Sequence, residues 1–85
     1  MPEISRFLGI VITMYWDDHQ PPHFHARYAD HRIKVRLADG EIEGNFPERA
    51  RGHVLEWFEM HRAELEENWD LARDRKPLKS IAGLE

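Results

Sequence analysis

The sequence predicts an α+β fold, in which a small antiparallel sheet of three to four strands is followed by one long and one short C-terminal helix packed on one face. Apolar and polar residues alternate in the first half of the chain, and apolar residues recur at helical spacing in the second half. Because the strands come first and the helices second, an antiparallel sheet is expected. A chain of 85 residues is expected to form a single domain, residues 1–85.

Three segments have the composition of strands. Residues 7–16 are β-branched or aromatic at most positions, which predicts a first strand in the middle of the sheet. Residues 23–28 and 32–37 alternate between apolar and polar side chains, which predicts a second and a third strand.

The dipeptide Asp39-Gly40 is the clearest turn signal in the chain. It is typical of a two-residue type I′ turn, because both central residues of that turn need a positive φ. Such a turn would place Leu37 opposite Ile42 and Arg36 opposite Glu43, giving an apolar pair and an ion pair.

A long helix is predicted from about Glu48 to Glu67, because Pro47 suits the first turn of a helix. We expect a break near Asn68 and then a shorter helical segment that ends at Lys76-Pro77. The apolar stripe of the long helix contains Val54, Phe58, His61 and Leu65.

A second stripe on the long helix contains His53, Trp57 and Met60. It predicts a wide buried face, which a thin domain needs. The alternative is an interface for a partner or a second copy, with Trp57 and Met60 as its contact residues.

Composition excludes several classes of site. The chain has no cysteine, so it has no disulfide framework, no thiolate zinc site and no cysteine nucleophile. No apolar run is long enough to cross a bilayer and the N-terminus lacks a secretory leader pattern, so we expect a cytoplasmic location. The net charge of −4 disfavours a general nucleic-acid binder, although bases are concentrated in residues 27–36 and acids in residues 56–74.

The densest group of chemically capable side chains is the histidine segment, His19–His25. His23 and His25 lie two apart on a predicted strand, so both rings should project to the solvent side while Phe24 points into the core.

A two-residue turn at Ala29-Asp30 would set the pairing of this strand with the next. The cross-strand pairs would be His25 with Lys34, His23 with Arg36, and Arg27 with Arg32. Like charges that face each other across strands destabilise a sheet, so a face built this way suggests a bound anion or an acidic surface.

The first hypothesis for this face is a divalent metal site. His19, His23 and His25 are its candidate ligands, with a carboxylate from Asp17 or Asp18. A His-x-His pair is a weak signal, and the neighbouring cations disfavour a bound metal ion, so no metal ligand is favoured at this point.

The second hypothesis is acid–base catalysis, with His23 and His25 as the catalytic pair, because histidine titrates near neutrality. The anion-binding residues would be Arg27, Arg32, Lys34 and Arg36. The third hypothesis is a binding surface without catalysis, and the simplest interpretation is that the histidines are ordinary half-exposed polar residues.

Four strings in the chain resemble the bacterial "domain of unknown function 4160" family. They are residues 4–12, 14–26, 55–69 and 76–81, and the second contains His-Gln-Pro-Pro-His-Phe-His. The resemblance implies a small bacterial protein, often encoded beside a second small protein in pairs grouped with toxin–antitoxin modules. It implies no catalytic residues.

The expected function is therefore a component, and candidate toxin, of a two-gene toxin–antitoxin-like module that acts on or binds nucleic acid. If the chain is an enzyme, a metal-independent ribonuclease is expected. The alternative is a non-enzymatic module whose basic strand face docks an acidic partner, and a divalent-metal-binding protein comes third. The expected partners are the product of a neighbouring gene, RNA or a second copy, with no membrane; no cofactor is expected, although a divalent metal is compatible with the sequence.

Overall fold

A computed structural model of the protein describes residues 2–84. Within them, five strands form one antiparallel sheet in which each strand neighbours the next along the chain. The strands are β1 (Glu3–Phe7), β2 (Ile10–Thr13), β3 (His23–Tyr28), β4 (His31–Arg36) and β5 (Ile42–Gly44). The helices are α1 (Glu48–Met60) and α2 (Arg62–Arg73). The predicted α+β class is confirmed, with one strand more than the sequence suggested.

The first predicted strand is in fact parts of two strands. Leu8 and Gly9 have φ values of 51° and 79° and reverse the chain, so Phe7 pairs with Ile10. Two consecutive positive φ values are the pattern of a type I′ turn. A leucine rarely adopts a positive φ, and for this reason the composition of residues 7–16 concealed the turn.

The predicted turn at Ala29-Asp30 is confirmed, and it fixes the pairing of β3 with β4. Tyr28 pairs with His31 and Phe24 pairs with Val35. Ala29 has a φ of 52°.

The predicted pairing at Asp39-Gly40 was wrong. Val35 pairs with Ile42 and Lys34 with Glu43, so the loop between β4 and β5 is longer than two residues. The cause is Leu37, which is buried in the core and donates its backbone N–H to the carbonyl of Pro22 at 2.9 Å instead of pairing with β5.

The core lies between one face of the sheet and the two helices. Its largest fully buried side chains include Phe24, Trp57 and Phe58. The Trp57 indole donates its N–H to the carbonyl of Ala82 at 2.8 Å, so the structure places Trp57 inside the domain rather than on an interface. Met60 is 62% exposed.

The break between the helices lies at His61, not near Asn68 as predicted. His61 has a φ of −124°, and its N–H donates to the carbonyls of Trp57 and Phe58. Asn68 is buried within α2, where its amide donates to the Lys79 carbonyl at 2.8 Å and accepts the Lys79 N–H at 2.9 Å. A polar residue fits here because both of its hydrogen-bonding groups have backbone partners.

The segment after α2, residues 74–84, is irregular and runs back to the sheet. Ile81 is buried and donates its N–H to the Ile4 carbonyl of β1 at 2.8 Å. Trp16 donates its indole N–H to the Lys76 carbonyl at 3.0 Å. In the described residues, neither helix is long and apolar enough to cross a membrane.

Candidate metal centre on the sheet

The loop between β2 and β3, residues 14–22, brings a carboxylate to the start of β3. Asp17 has a φ of 55°, and the Gln20–Pro21 peptide bond is cis. The two neighbouring aspartates diverge: Asp17 pairs with Arg75, whereas Asp18 accepts the backbone N–H of His19 at 2.9 Å and turns towards β3.

Asp18, His23 and His25 form a cluster. The Oδ2 atom of Asp18 lies 2.9 Å from Nε2 of His23 and 3.0 Å from Nε2 of His25. One ligand atom from each residue lies within 4.8 Å of the others. The alternation predicted from the sequence does bring the two rings together, and their centroids are 5.0 Å apart.

The two histidines differ in exposure, which the sequence did not predict. His23 is only 3% exposed, and its ring packs against Trp69 at 5.4 Å. The His25 side chain is 33% exposed, and its ring makes a T-shaped contact with the Tyr15 ring, with the centroids 4.7 Å apart. The expectation that both rings face solvent was wrong for His23, because the 14–22 loop and α2 enclose it.

The hydrogen bonds of His23 restrict its chemistry. Nδ1 lies 2.7 Å from the Pro21 carbonyl, which can only accept, so Nδ1 carries a proton. In the neutral ring Nε2 then presents a lone pair to a carboxylate oxygen. This contact is favourable only with a proton or a metal cation between the two atoms.

Asp18 remains ionised in this setting. Its partial burial alone would raise its pKa, but hydrogen bonds from His25 and the His19 backbone, with the charges of His23 and His25, outweigh the burial and lower the pKa of Asp18. An ionised carboxylate and two imidazoles make a donor set suited to a divalent ion.

Two of the cations predicted to bind an anion are paired with carboxylates. Arg36 donates to both Asp39 and Glu41, and Lys34 lies 3.8 Å from Glu43. The Arg36 hydrogen bond lowers the pKa of Asp39 to about 2. Both cations, with Glu41 and Glu43, line a cavity of about 130 Å³ whose lining also includes His19 and His23.

The other two predicted anion-binding residues, Arg27 and Arg32, face each other on β3 and β4. Both are exposed, and neither forms an ion pair with any residue from 2 to 84. They line a smaller groove that also includes Tyr15 and His25.

A family model described as "Domain of unknown function (DUF4160)" matches residues 9–70, which include the whole cluster and its loop. The chain belongs to the DUF4160 family. No curated protein and no solved structure matches it.

The DUF4160 match leaves β1 and the segment after α2 outside its bounds and includes β2 to β5 and α1. The sequence alone could not decide whether Asp17 or Asp18 supplies the carboxylate of the cluster. It also gave no signal for the contact between Trp69 and His23. His19, a third candidate ligand, is exposed and outside the three-residue cluster.

Proposed function

We propose that the chain binds a first-row divalent transition metal ion through Asp18, His23 and His25. The observation that carries this proposal is the approach of two imidazole nitrogens to one carboxylate oxygen, at 2.9 and 3.0 Å. Histidine nitrogens and carboxylate oxygens are the ligands that zinc and its neighbours accept in the absence of thiolates.

The spacing of the ligand atoms supports the proposal. A tetrahedral zinc ion with bonds of about 2.0–2.1 Å has ligand atoms about 3.3 Å apart. The separations of Asp18 Oδ2 from His23 Nε2 and His25 Nε2 are only a few tenths of an ångström shorter. Small rotations of the side chains would bring these two separations to the tetrahedral value.

The surroundings of the ligands support it as well. The Pro21 carbonyl fixes the proton of His23 on Nδ1, which leaves Nε2 as the metal-binding atom. The His19 N–H holds Oδ1 of Asp18, which leaves Oδ2 towards the rings. Such partners orient the ligands of most metal centres.

Two of the neighbouring cations, Arg36 and Lys34, are a smaller obstacle than the sequence suggested. The charge of Arg36 is offset by Asp39 and Glu41, and that of Lys34 by Glu43. The net positive potential at the cluster from these residues is therefore low.

Three protein ligands leave a coordination position for water or a ligand, and this is the composition of catalytic rather than structural zinc sites. Bound metal would supply a Lewis acid there. Solvent would reach a metal ion held by these residues from the side of His25, the more exposed of the two histidines.

The second candidate is the metal-independent ribonuclease of a toxin–antitoxin-like module. The pairing of Asp18 with His25 favours it, since a carboxylate can orient an imidazole that acts as a general base. His23 is too buried to exchange protons with a bound RNA. Of the predicted catalytic pair, only His25 would then act as an acid or base.

The metal proposal is tested by titrating chelator-treated protein with Zn²⁺ and with Co²⁺, by calorimetry and by the visible absorption of cobalt. We expect one ion per chain, and a loss of affinity of at least about tenfold in Asp18→Asn and in His25→Ala. His31→Ala is the matched control, because His31 is an exposed histidine on β4 outside the cluster.

Each variant is checked for folding by its thermal transition, and His23 is left intact because it is buried. Substoichiometric binding, or equal losses in His31→Ala and His25→Ala, would overturn the metal proposal. Cleavage of RNA that persists in excess chelator and is lost in His25→Ala would instead support the ribonuclease.

A further inference from the structure

Two exposed arginines on the outer sheet face form no ion pair within the described residues. Arg27 and Arg32 are directly opposite on neighbouring strands, and both are exposed. Like charges in this position destabilise a sheet, so the pair has an energetic cost in the folded chain.

The other strand cations of this face are neutralised. Arg6, in the same row across the sheet, makes two hydrogen bonds to Glu3, at 3.0 and 2.8 Å. The charge of Arg27 contributes to lowering the pKa of Glu3, but the hydrogen bonds of this carboxylate go to Arg6. Within the described part of the chain, neither Arg27 nor Arg32 forms an ion pair, so both guanidinium groups are open to an external anion.

The two guanidinium groups share a groove with the cluster. Its volume is about 70 Å³, and its lining includes Thr13, Tyr15, His25, Arg27 and Arg32. The groove is shallow and opens to solvent, so it has room for a small anionic group whose organic part remains outside. His25 belongs both to the groove and to the cluster.

We propose that this groove, which we call the arginine groove, binds the phosphate group of a phosphate ester. A phosphate monoester has a charge of about −1.5 to −2 and three acceptor oxygens, so it matches two guanidinium cations better than the single charge of a carboxylate does. The organic part of the ester extends out of the groove into solvent. One part of this inference rests on the proposed function: if His25 binds a metal ion, the bound phosphate lies beside a metal ligand.

The experiment measures binding of inorganic phosphate to metal-free protein at constant ionic strength, by amide NMR shifts. We expect saturable shifts at residues of the groove, and at least about tenfold weaker binding in Arg27→Gln and in Arg32→Gln. Arg6→Gln is the matched control, because it removes an arginine of the same row that already has a carboxylate partner.

Two further probes, uridine 5′-monophosphate and a tetrauridylate, identify the source of the phosphate. Equal affinity for all three assigns the groove to phosphate alone, and tighter binding of the tetrauridylate assigns it to nucleic acid; both support the proposal. Shifts that survive both arginine substitutions, or a loss of equal size in Arg6→Gln, would overturn it. So would tighter binding of hexaglutamate than of any phosphate.

Metal is absent from this titration, so its outcome is independent of the zinc titration. A chain that binds phosphate but no zinc would refute only the metal centre, and a chain that binds zinc but no phosphate would refute only the arginine groove.

Discussion

At the scale of single residues, Arg36 organises the end of β4. Its guanidinium donates to both oxygens of Asp39 and to Glu41, at distances from 2.6 to 2.9 Å. The hydrogen bond from Arg36, with the Glu41 backbone N–H, lowers the pKa of Asp39 to about 2. All three side chains are partly exposed, so solvent weakens the pairs.

We expect Arg36→Gln to raise the pKa of Asp39 from about 2 towards the ordinary value of about 4. Because the pKa is lower in the folded chain than in the unfolded chain, Asp39 stabilises the fold fully above about pH 4, and this contribution is lost as the pH falls towards 2. The stability difference between wild type and Arg36→Gln, measured by urea unfolding, should shrink over that range. A difference that stays constant from pH 6 to pH 2 would contradict the assignment.

Residue types and alternation were enough to predict that His23 and His25 share one side of β3. They could not choose between Asp17 and Asp18, because that choice depends on the positive φ of Asp17 and on the conformation of the whole loop. Nor could they predict the burial of His23, which depends on Trp69, 46 positions further along the chain.

At the scale of elements, two glycines illustrate opposite demands on the backbone. Gly44 ends β5 with a φ of 111°, and a Cβ there would lie 2.6 Å from the carbonyl oxygen of Arg32. Gly52 lies within α1, and a Cβ there would meet no atom within 4 Å.

We expect Gly44→Ala to destabilise the protein by about 1–3 kcal/mol, because both the backbone angle and the contact are unfavourable for alanine. Gly52→Ala, its matched control, should stabilise the protein by about 0.5–1 kcal/mol, since alanine has the higher helix propensity. Free energies of unfolding from urea titrations test both, and a neutral Gly44→Ala would show that β5 can shift away from β4.

The sequence predicted the existence and type of most elements but not all of their bounds. Pro47 correctly marked the start of α1. The turn at Leu8-Gly9 was missed because leucine is an unusual residue at a positive φ. The helix break was misplaced because His61, rather than the polar Asn68, leaves the helical conformation.

At the scale of the whole molecule, the C-terminal segment ties the helices to the sheet. Asn68 of α2 binds the backbone of Lys79 through two hydrogen bonds, and Trp57 of α1 binds the carbonyl of Ala82. Ile81, two residues after Lys79, donates its N–H to the Ile4 carbonyl of β1. One short irregular segment therefore joins both helices to β1, which lies at the other end of the chain.

We expect Asn68→Ala to destabilise the protein by at least about 2 kcal/mol, because it leaves a backbone donor and a backbone acceptor of Lys79 without partners. The amide of Ile81 should also exchange with solvent faster. The control is Glu66→Ala, an exposed residue of α2, which should change stability by less than about 0.5 kcal/mol. Unchanged exchange at Ile81 in Asn68→Ala would show that the segment is held by its other contacts.

The bond between Ile81 and Ile4 also bears on how copies of this protein behave at high concentration. A sheet that ends in an unpaired strand offers its backbone to a strand from another molecule, which is how fibrils begin. Here the outward backbone of β1 is partly occupied by the chain's own tail. At the opposite edge, β5 has only three residues, one of which is Glu43, and Glu41 immediately precedes it. Loosening of the tail would thus not only weaken the fold but also uncover a template on which a fibril could grow.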